Sequence, residues 1–204
     1  AGIVPWNFPV MMAIQKIAPA MLSGCTIVLK PSEMSPLSAL IFTEVMDAAG
    51  VPAGVFNLVL GSGSQIGDIL STHADIDCVS FTGSTEIGRH IQQQAAATVK
   101  RVCLELGGKS PTIVRADADL DHAVAGVIYG IFSSSGESCI AGSRAFVHAS
   151  VYDEFKSRLL AAVKGLRVAD PSLESTHLGP LVNRGHRDSV ERYVQLGRDE
   201  GGRI

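Results

Sequence analysis

The amino-acid sequence predicts an α/β protein whose parallel sheets are joined by crossover helices, and two observations carry that reading. Short apolar runs alternate with longer stretches of helical period, and glycine, proline or serine punctuates each change. Charged residues make up 18% of the chain, below the roughly 25% usual in a soluble domain, as expected when strands are apolar on both faces.

Each element has a local reason. The chain opens in mid-strand at Ala1–Trp6, and Thr26–Leu29 forms a short buried strand that Lys30-Pro31 ends. Ser35-Pro36 opens a helix, with the serine at the cap and the proline in the first turn. Leu37, Leu40, Ile41, Val45 and Met46 recur along it at helical spacing, and Gly50 stops it. Val55–Leu60 is a strand, followed by Gly61-Ser62-Gly63 and a helix to about Ser71. Asp77–Phe81 is the next strand, followed by Thr82-Gly83-Ser84 and a helix through about Ala97, and Arg101–Glu105 is a further strand. Past Gly107-Gly108 come a strand at Pro111–Val114, a helix from Leu120 to about Ser133, a strand at Ser143–His148 and an amphipathic helix from Val151 to about Val163. The residues Asp199–Ile204 read as a helix end leading into another strand. A domain boundary is placed at Gly107-Gly108, dividing the chain into 1–107 and 108–204.

Composition excludes several classes. Basic residues number 17 and acidic residues 20, with no Lys/Arg cluster to provide a phosphate footprint, so nucleic acid is not an expected partner. Hydrophobic residues at 46% give the chain enough to bury, which excludes disorder. Residues 1–29 carry one charge, Lys16, yet no basic start marks a signal peptide. Pro5, Asn7, Pro9, Lys16 and Pro19 interrupt the roughly 20 apolar residues that a membrane helix needs. That stretch and the uncharged run Ala123–Gly136 are read as buried core, with no membrane partner. Cysteines 25, 78, 103 and 139 show neither a Cys-x-x-Cys pair nor metal spacing, so no metal is expected. Cys25, Cys78 and Cys103 lie in apolar runs and read as small buried hydrophobes, which fits a reducing, cytoplasmic compartment.

A few residues have chemical potential. Gly61-Ser62-Gly63-Ser64-Gln65-Ile66-Gly67 is one residue longer than the dinucleotide fingerprint and is also an ordinary turn. Gly83-Ser84-Thr85-Glu86 starts a helix with small residues that leave backbone N–H groups open to an anion, while Glu86 can cap. Cys139 lies among small polar neighbours in Gly136–Arg144, where a thiol is either an inert packing group or a nucleophile. Glu105 ends an apolar strand, where it either pairs with Lys109 or serves as a general base at the sheet's carboxyl edge. Asn7, bracketed by Trp6, Phe8 and two prolines, either forms a turn or aims its amide at an oxyanion.

Read together, Pro5–Pro9, Lys30-Pro31-Ser32-Glu33, Phe81–Thr85, Leu104–Pro111 and the Cys139 segment occur in an order that resembles the NAD(P)-dependent aldehyde dehydrogenase superfamily. The resemblance spans essentially the whole chain and looks like the middle of a longer one. It implies the end of a Rossmann-like NAD-binding domain over 1–107 and the start of a catalytic domain over 108–204. By position, Cys139 matches the nucleophile, Glu105 the base, Asn7 the oxyanion donor and Lys16 a lysine that helps relay the base's proton. Lys30 and Glu33 match residues that hold the adenosine ribose, Ser84 lies where the pyrophosphate passes, Gly63 falls beside the adenine, and Trp6 and Gly83 belong to the cofactor-binding set. NAD is expected over NADP, a small-molecule aldehyde as substrate, and a homodimer or homotetramer as the full-length assembly. Glu137 departs from the glutamine of many members, and its charge would raise the Cys139 pKa if unpaired. Two other readings stay open: a catalytically incompetent or structural chain of the same fold, and a dehydrogenase that passes its thioester to coenzyme A.

Overall fold

The computed structural model describes residues 1–203. The chain divides into two units, Ala1–Gly107 and Gly108–Ile204.

In the first unit, β1 (Gly2–Ile3), β2 (Ile27–Lys30), β3 (Phe56–Leu58), β4 (Cys78–Gly83) and β5 (Arg101–Leu106) form one sheet in the order β3-β2-β1-β4-β5. Every pairing is parallel, with Ile3 beside Lys30 and Phe81, and Phe81 beside Leu104. The chain winds outward from β1 to β3 and then restarts on the other side of β1 with β4, a reversal of strand order that opens a crevice at the carboxyl ends. Helices α1 (Pro9–Leu22) and α2 (Leu37–Ala48) cover one face, where Val4, Met12, Ala13, Ile17, Ile27, Leu29 and Ala39 form a core. Helices α3 (Asp68–Thr72) and α4 (Thr85–Ala95) serve the other, where Leu70 and Ile91 join Ile3, Val79 and Phe81. Gly88 allows α4 its close approach, because a Cβ there would lie 2.7 Å from Leu106 Cδ2.

The second unit pairs β6 (Pro111–Val114) with β7 (Arg144–Val147), again in parallel. Helices α5 (Leu120–Phe132) and α6 (Tyr152–Lys164) share with this pair a core of Val114, Val124, Val127 and Phe155. Asp119 caps α5 by accepting from the Asp121 and His122 N–H groups at 3.0 and 3.1 Å. Asn183 caps α7 (Arg184–Asp199) by accepting from the His186 N–H at 2.8 Å.

Several local expectations are corrected. Helix α2 starts at Leu37 with Pro36 at its cap, and the Ser35 hydroxyl instead donates to the Trp6 carbonyl at 3.2 Å. On α4 the cap is Ser84, whose Oγ accepts from the Ile87 N–H at 3.3 Å, while Glu86 lies in the first turn. The strand expected over Val55–Leu60 shortens to β3, and a π-turn at Gly63–Gly67 precedes α3. Cys25, Cys78 and Cys103 are exposed, not buried. Cys25 lies in the turn after α1, which ends at Leu22, Cys78 starts β4, and Cys103 lies on the exposed side of an edge strand whose residues alternate in burial. Residues 9–22, read as core without an assigned helix, form α1, which buries Lys16 yet exposes Val10, Met11, Ile14 and Leu22. Likewise α5 buries Val124 and Val127 but exposes Tyr129. The strand expected at the chain's last residue lies outside the described residues.

Candidate active site

The parallel sheet of the first unit assembles most of the candidate residues at its carboxyl edge. Trp6 and Asn7 follow β1, Lys30 ends β2 with Glu33 just beyond, Gly63 opens the turn after β3, Gly83 ends β4, and Glu105 lies near the end of β5. Because the strands run in parallel and nearly flush register, residues far apart in sequence come to one rim. Trp6 is anchored through its carbonyl by Ser35.

Lys30 and Glu33 behave differently though three residues apart. The Lys30 side chain is 3% exposed and that of Glu33 54%, with Nζ 3.5 Å from Oε2. Lys30 Nζ also donates to the Pro31 carbonyl at 2.8 Å. The lysine is thus committed inside the rim, and the carboxylate is presented outward. At the next strand, Gly83 is required: a Cβ there would collide with the Phe81 ring. The chain then enters α4, whose first-turn N–H groups carry the positive end of the helix dipole. An exposed acceptor at Glu33 and a helix N-terminus at Ser84 suit the hydroxyl and phosphate groups of a dinucleotide.

Lys16 is the one candidate of this unit that lies away from the rim, in mid-α1. It is 9% exposed, and its Nζ donates to Ser80 Oγ at 2.9 Å. Gly2 leaves room for it, since a Cβ there would lie 3.4 Å from Lys16 Cδ and 3.2 Å from Leu29 Cδ1. Burial pulls the Lys16 ammonium below its ordinary pKa, while Cys103 and Glu105 act on it in the opposite sense. Register explains this grouping: Ser80 stands beside Cys103 and Thr82 beside Glu105, so all four share one face of the sheet. Thr82 Oγ1 is buried with no hydrogen-bond partner among the described residues. Neither Ser80 nor Thr82 was singled out from sequence; strand alternation alone could have placed them beside Cys103 and Glu105, but only with the register known.

In the second unit Cys139 is partly exposed and follows the tight turn Ser133–Gly136. Ser134, Ser135 and Gly136 all have positive φ, at 51°, 57° and 79°. Downstream, the Ala141 N–H donates to the Ser138 carbonyl at 3.2 Å and the Gly142 N–H to the Gly130 carbonyl at 3.2 Å. Gly142 has no room for a side chain, because a Cβ would strike Thr112 Oγ1. Glu137 is paired: its Oε1 accepts from the Val182 N–H at 3.1 Å and lies 3.4 Å from His186 Nε2. Lys109 Nζ donates to the Gly108 carbonyl at 3.3 Å. Among the described residues no group of three or more His, Cys, Asp or Glu side chains is placed to hold a metal.

A doubly wound parallel sheet with this rim defines a dinucleotide-binding class of α/β protein. The aldehyde dehydrogenase family profile matches residues 1–204, and the chain belongs to that family. It is 44% identical over 202 residues to betaine aldehyde dehydrogenase of Bacillus subtilis, covering 99% of this chain and 41% of that protein. It is 47% identical over 203 residues to aldehyde dehydrogenase 1A1 of Gallus gallus, covering 99% and 40%. The crystal structure of betaine aldehyde dehydrogenase from Staphylococcus aureus in complex with NAD+ superposes with a TM-score of 0.96 at 42% identity, covering 98% of this chain and 40% of that one. The chain therefore spans about two fifths of the length of these relatives.

Proposed function

We propose that this chain is the central part of an NAD-dependent aldehyde dehydrogenase that oxidises an aldehyde to its carboxylic acid. The observation that carries the reading is the carboxyl rim of the first sheet, where an outward carboxylate, a helix N-terminus and Glu105 line up in a chain of this family. Ala1–Gly107 is then the later part of the NAD-binding domain and Gly108–Ile204 the first part of the catalytic domain. The cofactor is held by the rim: Glu33 accepts from ribose hydroxyls with Lys30 beside it, Gly63 and Trp6 border the cofactor, and Gly83 and Ser84 present the α4 N-terminus to the pyrophosphate. When bound, NAD supplies the hydride acceptor.

The rest is done by the chain's own groups. The Cys139 thiolate adds to the aldehyde carbon, and Asn7 with the Cys139 N–H stabilises the resulting oxyanion, each such donor being worth about 3–4 kcal/mol of barrier in other oxyanion holes. Loss of hydride leaves a thioester on Cys139. Glu105 takes a proton from water, which hydrolyses that thioester, and Lys16 helps carry the proton away. Among the described residues no helix is long and apolar enough to cross a membrane. A cytoplasmic homodimer or homotetramer acting on a small aldehyde completes the proposal.

In the whole enzyme, Cys139→Ala abolishes aldehyde oxidation and leaves NAD affinity near its original value; near-native turnover in that variant would overturn the assignment. Glu105→Gln slows hydrolysis more than acylation, so rapid mixing shows a stoichiometric NADH burst ahead of slow turnover. An unchanged steady rate without a burst would remove Glu105 from the mechanism.

A further inference from the structure

We propose that Glu137 and His186 form a clasp that holds the Cys139 turn in shape, making Glu137 a positioning residue for the thiol; the inference rests on Cys139 being the nucleophile. Ser134 and Ser135 adopt (φ, ψ) of (51°, 40°) and (57°, 26°), a left-handed pair followed by Gly136 at φ 79°. Side-chain-bearing residues persist there only where the surroundings hold them. Cys139 is three residues past this turn, so whatever holds the turn also sets where the sulfur points.

The segment before and into α7 provides the hold. The Ser135 hydroxyl donates to the Gly179 carbonyl at 3.4 Å. Glu137 Oε1 accepts from the Val182 N–H and lies within ion-pair distance of His186 Nε2, on a side chain that is 9% exposed. A carboxylate buried to that degree needs such partners. It also lies beside the N-terminal turn of α7, whose dipole favours an anion. His186 is itself set by its N–H bond to the Asn183 side chain at 2.8 Å. Apolar packing does not do this work within the unit: among the described residues α7 buries none, and Val190, Tyr193, Val194 and Leu196 are exposed. The clasp is therefore polar, and it depends on the Glu137 carboxylate. A glutamine preserves the acceptor for Val182 while removing the charge that His186 meets.

The test compares Glu137→Ala, Glu137→Gln and His186→Ala in the whole enzyme. Iodoacetamide alkylation of Cys139 is followed by mass spectrometry of its peptide, alongside kcat and KM for the aldehyde. Glu137→Ala slows alkylation and kcat by about tenfold or more while KM changes less than about threefold, as befits a displaced reacting atom. Glu137→Gln returns both rates to within about threefold of the original, and His186→Ala slows them by about threefold, the scale of one hydrogen bond. Original rates in Glu137→Ala, or equal loss in Glu137→Gln and Glu137→Ala, would overturn the clasp. Should Glu137→Ala not fold, His186→Ala decides, because its side chain is 38% exposed: slowed alkylation supports the clasp and an unchanged rate overturns it. Activity surviving in Cys139→Ala would instead strike the nucleophile reading, while the alkylation series would still report on the clasp.

Discussion

The first unit covers its five-stranded sheet on both faces, with α1 and α2 over one core and α3 and α4 over another. Among the described residues the second has two strands and one core, and Ile113 and Phe146 on its sheet remain exposed. A two-stranded sheet is marginal by itself, so Val114, Val124, Val127 and Phe155 carry most of what apolar burial gives that unit. The contrast extends to the candidate residues. In the first unit all but Lys16 lie at or just past the strand ends of a sheet that has a core on each face. In the second, Cys139 sits on an irregular turn held by side-chain hydrogen bonds. Rigid strands can place a rim without further help, whereas an irregular turn needs polar partners named residue by residue.

The largest expected effect breaks the contrast at its weakest point. Phe155→Ala costs about 3–5 kcal/mol, and hydrogen exchange should rise across β6, α5 and α6 while β1, β2 and β4 stay protected. Leu29→Ala in the first unit costs about 2–5 kcal/mol at a fully buried site, but the α3/α4 face retains its own core. Its exchange should rise chiefly in α1 and α2. Equal loss of protection throughout both units in either variant would mean that the two cores are not separable.

The next effect concerns the rim. If Glu33 holds the ribose as proposed, the whole enzyme should prefer NAD over NADP by about tenfold or more in kcat/KM, because a 2′-phosphate would meet the Glu33 carboxylate at a cost of order 1 kcal/mol or more. Lys30 is held by the Pro31 carbonyl and by Glu33 itself, which limits its power to offset that repulsion. Glu33→Gln shrinks the preference and leaves Cys139 alkylation unchanged. Equal use of both cofactors by the unmodified enzyme would remove Glu33 from this role.

Lys16 gives a pH-dependent test of the packed face. Its folded pKa lies below the ordinary 10.5, first because it is buried. Between those two values the unfolded chain binds more protons, so stability rises with pH across that window, and the burial penalty is full below it. Comparing urea midpoints of the unmodified protein and Lys16→Met as pH approaches 10.5 should show the difference moving in favour of the lysine. A constant difference would show that Lys16 titrates as it does in the unfolded chain. The smallest effect is expected for Cys25→Ala, Cys78→Ala and Cys103→Ala, each within about 0.5 kcal/mol, because all three thiols are exposed. Larger losses in thermal unfolding would restore a packing role to them.

Much of the fold was legible in local pattern. The strands β2, β4, β5, β6 and β7 and the helices α2, α4, α5 and α6 follow from apolar period and from their glycine and proline punctuation. Helix α1 was not, because Pro9, Pro19 and Lys16 interrupt its apolar run, and its buried stripe includes the lysine. Of helix α7 only the end near Asp199 was read, because its composition is strongly polar, although Val190, Tyr193 and Val194 recur along it at helical spacing. The cysteines misled for a related reason: an apolar run predicts a strand but not which of its alternating side chains face solvent on an edge.

The sequence by itself determined the alternation of strand and helix, the parallel sheet and the family, since these depend on residue order and local spacing. Tertiary structure alone decided which residues share a face. Lys16 reaches Ser80, Thr82 stands beside Glu105, and Glu137 meets Val182 and His186, because strand register and helix placement bring together groups that no sequence spacing relates. The physical reason is that period is a property of neighbouring residues, whereas register and burial are properties of the whole packed unit.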